Sequence, residues 1–176
     1  MVGVIDADLG LQGSDLRAAE RTFQLMRQVA GRAGRADKPG IAVLQTHQPE
    51  HPVIEAILGG DEEAFWRAEA SEREAAGVPP YGRMVGIILS STDPQEASEF
   101  GKAMVSNILP LNKIGAEVFG PAPAPISRIR GRYRVRLLIK ANKSVPIQSA
   151  ISEWVSQFKT PKSLRLSIDI DPQSFY

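Results

Sequence analysis

The stretch ISRIRGRYRVRLLIK, residues 126–140, decides the fold of the second half of the chain. Basic and apolar side chains alternate along it, which is typical of extended strands with one face buried and the other in water. Gly131 lies near the middle of the stretch and marks a turn, because glycine adopts turn conformations without a steric penalty. The stretch therefore predicts two strands joined at Gly131.

Arginine occupies alternate positions of this hairpin, so the alternation predicts that the whole set shares one face. The basic residues are Arg128, Arg130, Arg132, Arg134 and Arg136, with Lys140 and Lys143 extending the charge. No acidic residue lies between Glu117 and Glu153 to neutralise them. Like charges repel, which favours an anionic partner such as nucleic-acid phosphate. We interpret the set as DNA-binding; charge that keeps an edge hairpin soluble is the alternative.

The segments around the hairpin predict the order β-α-β-β-α-β, which is the ferredoxin-like order of an α+β domain. Asp93 and Pro94 fit the N-cap and first position of its first helix. The proline-rich segment 121–125 is predicted as a rigid connector. The expected strands and helices cover residues 84–89, 93–109, 117–120, 126–140, 144–158 and 164–170.

The first half of the chain predicts part of a parallel-sheet α/β lobe with the order strand, helix, strand, helix. Two apolar runs, 2–5 and 41–46, are expected to form buried parallel strands, with a helix over 16–31 between them. Phe65 and Trp66 are the expected apolar anchors of the later helix, 61–76. The prolines after Gly77 stop this helix, so we predict two domains, 1–77 and 78–176.

The composition excludes several classes of function. The chain has 176 residues, a net charge of +1 and no cysteine, which excludes disulfides, a thiol nucleophile and a thiolate zinc site. No apolar run approaches the roughly 20 residues of a membrane span. Asp6 and Asp8 have the spacing of metal ligands, but we interpret them as turn formers and local hydrogen-bond acceptors. We expect a soluble cytoplasmic protein without a metal site.

The second informative stretch is QVAGRAGR, residues 28–35, at the end of the first predicted helix. Arg32 and Arg35 lie one helical turn apart, so their guanidinium groups can point the same way. An arginine fork fits phosphate oxygens and keeps its charge, which is typical of a phosphate clamp. The alternative is a pair of solvated arginines that favour the negative end of the helix dipole.

This stretch resembles the sixth motif of superfamily-two helicases. The resemblance implies that Gln28, Arg32 and Arg35 face ATP bound by another motor lobe and that both arginines act as fingers. The wider match is to the primosomal replication-restart helicase family and covers essentially the whole chain. It rests also on the stretches VGVIDAD at 2–8, DLRAAER at 15–21, LQT at 44–46 with PEHP at 49–52, PPY at 79–81, GRYR at 131–134 and IDIDP at 168–172.

The resemblance implies an ATP-dependent 3′-to-5′ DNA helicase of the bacterial cytoplasm and nucleoid that restarts stalled forks and initiates primosome assembly. Its implied partners are forked and single-stranded DNA, the single-stranded DNA-binding protein and primosome loading factors. The family's C-terminal domain has an S10-like fold that takes part in DNA binding. ATP, Mg²⁺ and a zinc-binding cysteine-rich region belong to the complete family member.

The chain departs from the family pattern in lacking a Walker A loop, an acidic magnesium motif and the cysteine-rich region. The resemblance therefore implies the last part of the second motor lobe, 1–77, followed by the C-terminal domain, 78–176. We expect no ATP hydrolysis by the chain alone. The alternative function is a non-enzymatic adaptor for DNA or protein, built on residues 84–170.

Overall fold

Two units, Met1–Ser71 and Glu72–Tyr176, make up the chain, and each has its own apolar core. The computed structural model describes residues 1–12, 15–33 and 40–174. The division falls inside the helix that precedes Gly77, whereas the sequence placed a domain boundary just after that residue. Across the described ranges, no helix has the length and apolar character needed to cross a bilayer.

The first unit contains a short parallel pairing and the helices around it. Its elements are β1 (Val2–Val4), a 3-10 helix (Ala7–Leu11), α1 (Ala18–Ala33), β2 (Ala42–Leu44), α2 (Pro52–Gly59) and α3 (Glu62–Ala76), which continues into the second unit. The predicted parallel pairing is confirmed, with Val2 opposite Ala42 and Val4 opposite Leu44. The predicted burial is wrong, because Val43 is 52% exposed. In the described residues the sheet has only these two strands, so one set of alternate side chains stays in solvent.

An aromatic cluster holds the helices of the first unit together. The rings of Phe23 on α1 and Phe65 on α3 stack with centroids 4.0 Å apart and an interplanar angle of 7°. Trp66 meets both rings edge-on, at 5.8 and 4.9 Å. The predicted anchoring by Phe65 and Trp66 is confirmed, and it sets the position of α1 through Phe23.

The second unit is an antiparallel sheet with helices against one face. Its elements are β3 (Gly82–Ser91), α4 (Pro94–Ser106), α5 (Leu109–Asn112), β4 (Glu117–Ile129), β5 (Arg132–Asn142), α6 (Ile147–Ser156) and β6 (Arg165–Ile170). The described part of the sheet has the strand order β4-β5-β3-β6. The predicted combination of a parallel α/β unit with a mixed α and β unit is therefore confirmed at the level of fold class.

Alternation along the strands places the core of the second unit on one face of the sheet. Val85, Ile87 and Leu89 of β3 are fully buried, as are Leu137 and Ile139 of β5. Helices α4 and α6 cover this face with buried side chains that include Met104, Ile147, Ile151 and Trp154. The indole Nε1 of Trp154 donates to the backbone oxygens of Met104 and Asn107, at 3.2 and 2.8 Å.

The start of α4 follows the sequence prediction. The Asp93 side chain accepts a hydrogen bond from the Gln95 backbone N–H at 2.9 Å, and Pro94 takes the first helical position. The predicted cap is therefore confirmed. The carboxylate satisfies a backbone donor that has no partner within the helix, which is why aspartate is favoured here.

The predicted connector over 121–125 is wrong, because these residues lie inside β4. Strand β4 is at one edge of the sheet, where a proline can point its missing donor position away from the neighbouring strand. The pairing with β5 shifts register between Phe119 and Ala122, and again between Pro123 and Arg128. These irregularities accommodate the prolines without ending the strand.

Candidate functional site

The end of α1 presents two of the three residues predicted to face a nucleotide. Gln28 and Arg32 are both exposed and lie one helical turn apart, and Arg32 makes no ion pair with any residue that the structure describes. Arg27, on the same helix, is instead engaged by Glu62, with 3.2 Å between Nη2 and Oε2. The third predicted residue, Arg35, lies outside the described residues. Buried Phe23 and Met26 hold the helix that carries this pair.

The turn between β4 and β5 consists of Arg130 and Gly131. Their φ angles are +48° and +77°, so both residues adopt left-handed backbone conformations. Two such residues define the tight turn that matches the twist of antiparallel strands, and asparagine or glycine is its usual first residue. Arginine at this position is unusual, and it places the Arg130 side chain at the tip of the hairpin.

The prediction that all five hairpin arginines share one face is wrong. Arg128 pairs with Tyr133, and Ile129 pairs with Arg132. Residues paired across antiparallel strands share a face, so the two-residue turn reverses the alternation between β4 and β5. Arg128 consequently lies on the other face from Arg132, and its Cζ is 4.9 Å from the centre of the Tyr133 ring.

Arg132 is engaged within the fold. Its Nη2 atom donates to the backbone oxygens of Ser90 and Ser163, each at 2.6 Å, and so joins the end of β3 to the segment before β6. Next to it, the hydroxyls of Ser163 and Ser91 donate to the Glu96 carboxylate. The hydrogen bonds from Ser163 and Ser91, and then the charge of Arg132, hold the pKa of Glu96 below its ordinary value.

The remaining hairpin residues form a line along β5. Arg134 lies opposite Ser90 and Arg136 opposite Ile88, on the face away from the buried core. One nitrogen of Arg134 donates to the Ile126 backbone oxygen at 3.2 Å. Lys140 continues the line, with its Nζ 3.2 Å from Glu117 Oε1, and Lys143 lies exposed just beyond the end of the strand.

Sequence reasoning missed Arg165, which the sheet brings to the same face. Arg165 on β6 pairs with Ser90, and Ser90 pairs on its other side with Arg134. We call the face that carries Arg134, Arg136 and Arg165 the basic face. Alternation within 165–170 could have placed Arg165 on the solvent side of its own strand, but only strand pairing places it beside the hairpin.

No group of three or more histidine, aspartate or glutamate side chains in the described ranges is placed to hold a metal ion.

Asp8 is 2% exposed and accepts hydrogen bonds from Thr46 Oγ1 at 2.5 Å and the His47 backbone N–H at 2.7 Å. These bonds lower the pKa of Asp8. Asp8 is thus a hydrogen-bond acceptor, as predicted, but the prediction of local partners is wrong, because Thr46 and His47 are distant in sequence.

An antiparallel sheet with helices on one face and a line of arginines on the other defines an α+β domain with a basic sheet surface. Residues 74–173 match the family model described as the primosomal protein N C-terminal domain, and the chain belongs to this family. The predicted resemblance is thereby confirmed.

Curated relatives extend the match to the first unit. The chain is 43% identical over 176 residues to the replication restart protein PriA of Rickettsia conorii, covering 100% of the chain and 27% of the relative. It is 35% identical over 172 residues to the same-named protein of Treponema pallidum, covering 98% and 26%. The protein of that name from Bacillus subtilis is 34% identical over 177 residues, covering 98% and 22%. The chain thus spans about a quarter of the length of these relatives.

Proposed function

We propose that the chain forms the C-terminal part of an ATP-dependent 3′-to-5′ DNA helicase that restarts stalled replication forks and initiates primosome assembly. Two things support this proposal: the membership of the primosomal protein N family, and relatives that are named for replication restart. The physical observation that carries it is the basic face, because aligned guanidinium groups favour a polyanion.

In this proposal the second unit binds DNA. Its topology is that of a ferredoxin-like, S10-like domain. The strand order β4-β5-β3-β6 and the element order support that assignment. Contacts from arginine to phosphate hold the DNA without reading its sequence, which suits a protein that acts at forks of any sequence. Forked and single-stranded DNA, the single-stranded DNA-binding protein and primosome loading factors are the proposed partners.

The first unit supplies arginine fingers in this proposal. The exposed side chain of Arg32, together with Arg35 and Gln28, would face the γ-phosphate of ATP bound with Mg²⁺ on another motor lobe. A guanidinium group placed there stabilises the negative charge that develops on the transferring phosphoryl group. The chain by itself contributes only the arginine side of this arrangement, so we expect no ATP hydrolysis from it.

Binding of labelled fork DNA by the purified chain at two salt concentrations tests the DNA-binding part. We expect the logarithm of the association constant to fall linearly with the logarithm of the salt concentration, by about 0.7 to 0.9 per phosphate contact. Binding that does not depend on salt, or no binding, contradicts it. A second measurement distinguishes the adaptor alternative. If the chain binds DNA in a salt-dependent way but ATP hydrolysis by a full-length relative does not depend on its equivalent of Arg32, the adaptor function is favoured.

A further inference from the structure

The basic face contains a concave depression in the middle of the sheet. Its volume is about 300 Å³, and its lining includes Gly86, Ile88, Arg134, Arg136, Ser167 and Asp169. We call this depression the bowl. All of these residues belong to the second unit, and cross-strand pairing accounts for the group, since Ile88 pairs with Arg136 on one side and Ser167 on the other.

Gly86 creates the concavity. It lies on the inner strand β3, between Leu138 of β5 and Asp169 of β6, and it has no side chain to fill the space between theirs. A Cβ atom at this position would have the Pro172 ring as its nearest neighbour, 3.8 Å away, which is an ordinary contact. A larger residue would therefore fit the backbone at Gly86 and would occupy part of the bowl.

The chemistry of the bowl differs from that of a bare phosphate patch. Ile88 and the Gly86 backbone offer an apolar floor, whereas Arg134 and Arg136 bring positive charge to the edge. Asp169 adds an acceptor, which can meet the amino group of a base. Flat apolar floors with cationic borders suit a planar base joined to phosphate, and proteins bind unpaired strands by combining the two.

An exposed aromatic side chain extends the same row of the sheet. Phe119 of β4 pairs with Leu138, which pairs in turn with Gly86. Phe119 is 48% exposed although it is a large apolar residue. Two strand spacings, about 10 Å, separate it from Gly86. Phe119 is therefore placed to stack against a second base of the strand that enters the bowl.

We infer that the basic face binds single-stranded DNA, with one base in the bowl against Gly86 and Ile88 and another on Phe119. The phosphate between them lies against Arg136, which is one row along the sheet from Phe119 and Gly86, and the next phosphate of the strand lies against Arg134, one row further. The bases of a duplex are stacked and paired, so their faces cannot enter a depression in a sheet. This inference rests on the proposed DNA-binding function of the second unit and names the form of DNA that this face takes.

The test compares the binding of a labelled single strand of about twelve nucleotides with that of a duplex of equal length, using the 176-residue chain. Gly86→Val and Ser167→Leu each fill the bowl and leave every arginine in place. We expect each variant to weaken single-strand binding about tenfold, with duplex binding within about twofold of wild type. Phe119→Leu should weaken single-strand binding about fivefold.

Ser152→Leu is the matched control for Ser167→Leu, because it makes the same change at an exposed position of α6 on the helical side of the sheet. It should leave binding unchanged. Thermal unfolding verifies that each variant is folded, and Ser167→Leu decides the question if Gly86→Val does not fold.

The outcomes separate this inference from the function on which it rests. Unchanged single-strand binding by the folded bowl variants overturns the inference, while weaker binding by Arg134→Gln keeps the DNA-binding function. Equal losses for the single strand and the duplex also overturn it, because they indicate a general phosphate surface. If the wild-type chain shows no salt-dependent binding to either the single strand or the duplex, the proposed DNA-binding function is itself contradicted.

Discussion

The arginines of α1 and those of β5 have the same chemistry but very different surroundings. Arg32 is exposed in the last turn of a helix and forms no ion pair with a residue that the structure describes. Arg132 lies at the start of a strand and donates to two backbone oxygens of its own unit. Among the described residues, Arg32 therefore has no ionic partner, whereas the guanidinium group of Arg132 joins two segments of its own unit.

Arginines that are close together in sequence also have different surroundings. Along β5, Arg132 joins two segments of the fold, whereas Arg134 lies on the basic face and donates from one nitrogen to the Ile126 backbone oxygen. Substitution of each type should therefore have different consequences. Under the proposed function, we expect substitution of Arg32 to change the rate of ATP hydrolysis and substitution of a basic-face arginine to change the salt dependence of DNA binding. Substitution of Arg132 should change the stability of the fold.

The largest effect is expected at the helix end. In a full-length relative that carries this segment, Arg32→Ala should lower DNA-stimulated ATP hydrolysis by about 10³-fold or more, because under the proposed function Arg32 is a finger that stabilises transition-state charge. DNA affinity should stay close to wild type. Steady-state ATPase assays with and without DNA measure both. Arg27→Ala, on the same helix but paired with Glu62, is the matched control, and an equal loss there would contradict a specific role for Arg32.

The next effect separates the basic face from the fold. Arg134→Gln combined with Arg136→Gln should reduce the salt dependence of fork binding by about two units of slope, because each phosphate contact contributes about one. Arg132→Gln should leave the slope nearly unchanged and lower the free energy of unfolding by about 1–3 kcal/mol, since two carbonyl groups lose a charged donor. Titrations at several salt concentrations and urea denaturation distinguish them. If Arg132→Gln alters the salt slope as much as the combined Arg134→Gln and Arg136→Gln variant does, the distinction between Arg132 and the basic face is contradicted.

A smaller effect is expected at the hairpin tip. Arg130→Asn should raise the free energy of unfolding by about 0.5–1 kcal/mol, because asparagine tolerates the left-handed conformation better than arginine. Urea denaturation provides the measurement, and Arg128→Asn, within β4, provides the control. A stabilised variant that also binds DNA more weakly would indicate that this position keeps arginine for its charge. A destabilised variant would show that the Arg130 side chain makes a contact the fold needs.

The smallest effect concerns the acid behaviour of the second unit. The pKa of Glu96 is lowered in the folded state, so its ionised form stabilises the fold above its ordinary pKa of 4.5. That contribution is lost as the pH falls below 4.5 and through the folded-state pKa. The free energy of unfolding of Glu96→Gln should therefore decrease less than that of wild type as the pH is lowered. Ser163→Ala, which removes the strongest cause, should give an intermediate slope; a slope equal to that of wild type in both variants would refute this account.

Several features followed from the sequence because their causes are local. The alternation in 126–140 predicts the hairpin, and Asp93 followed by Pro94 predicts the start of α4. Each pattern depends on backbone geometry within a few residues, which a sequence displays directly. The string from Gln28 to Arg35 is one of several stretches that predicted the primosomal family, and the match over 74–173 shows that the chain belongs to that family.

Other features were decided only when the strands paired. Two residues in the turn reversed the alternation and moved Arg128 to the opposite face from Arg132. Pairing across β3 placed Arg165 beside Arg134, and it left the bowl at Gly86 between side chains from two other strands. The physical reason is that alternation determines which residues of one strand share a face, whereas strand order and register determine which residues of different strands become neighbours.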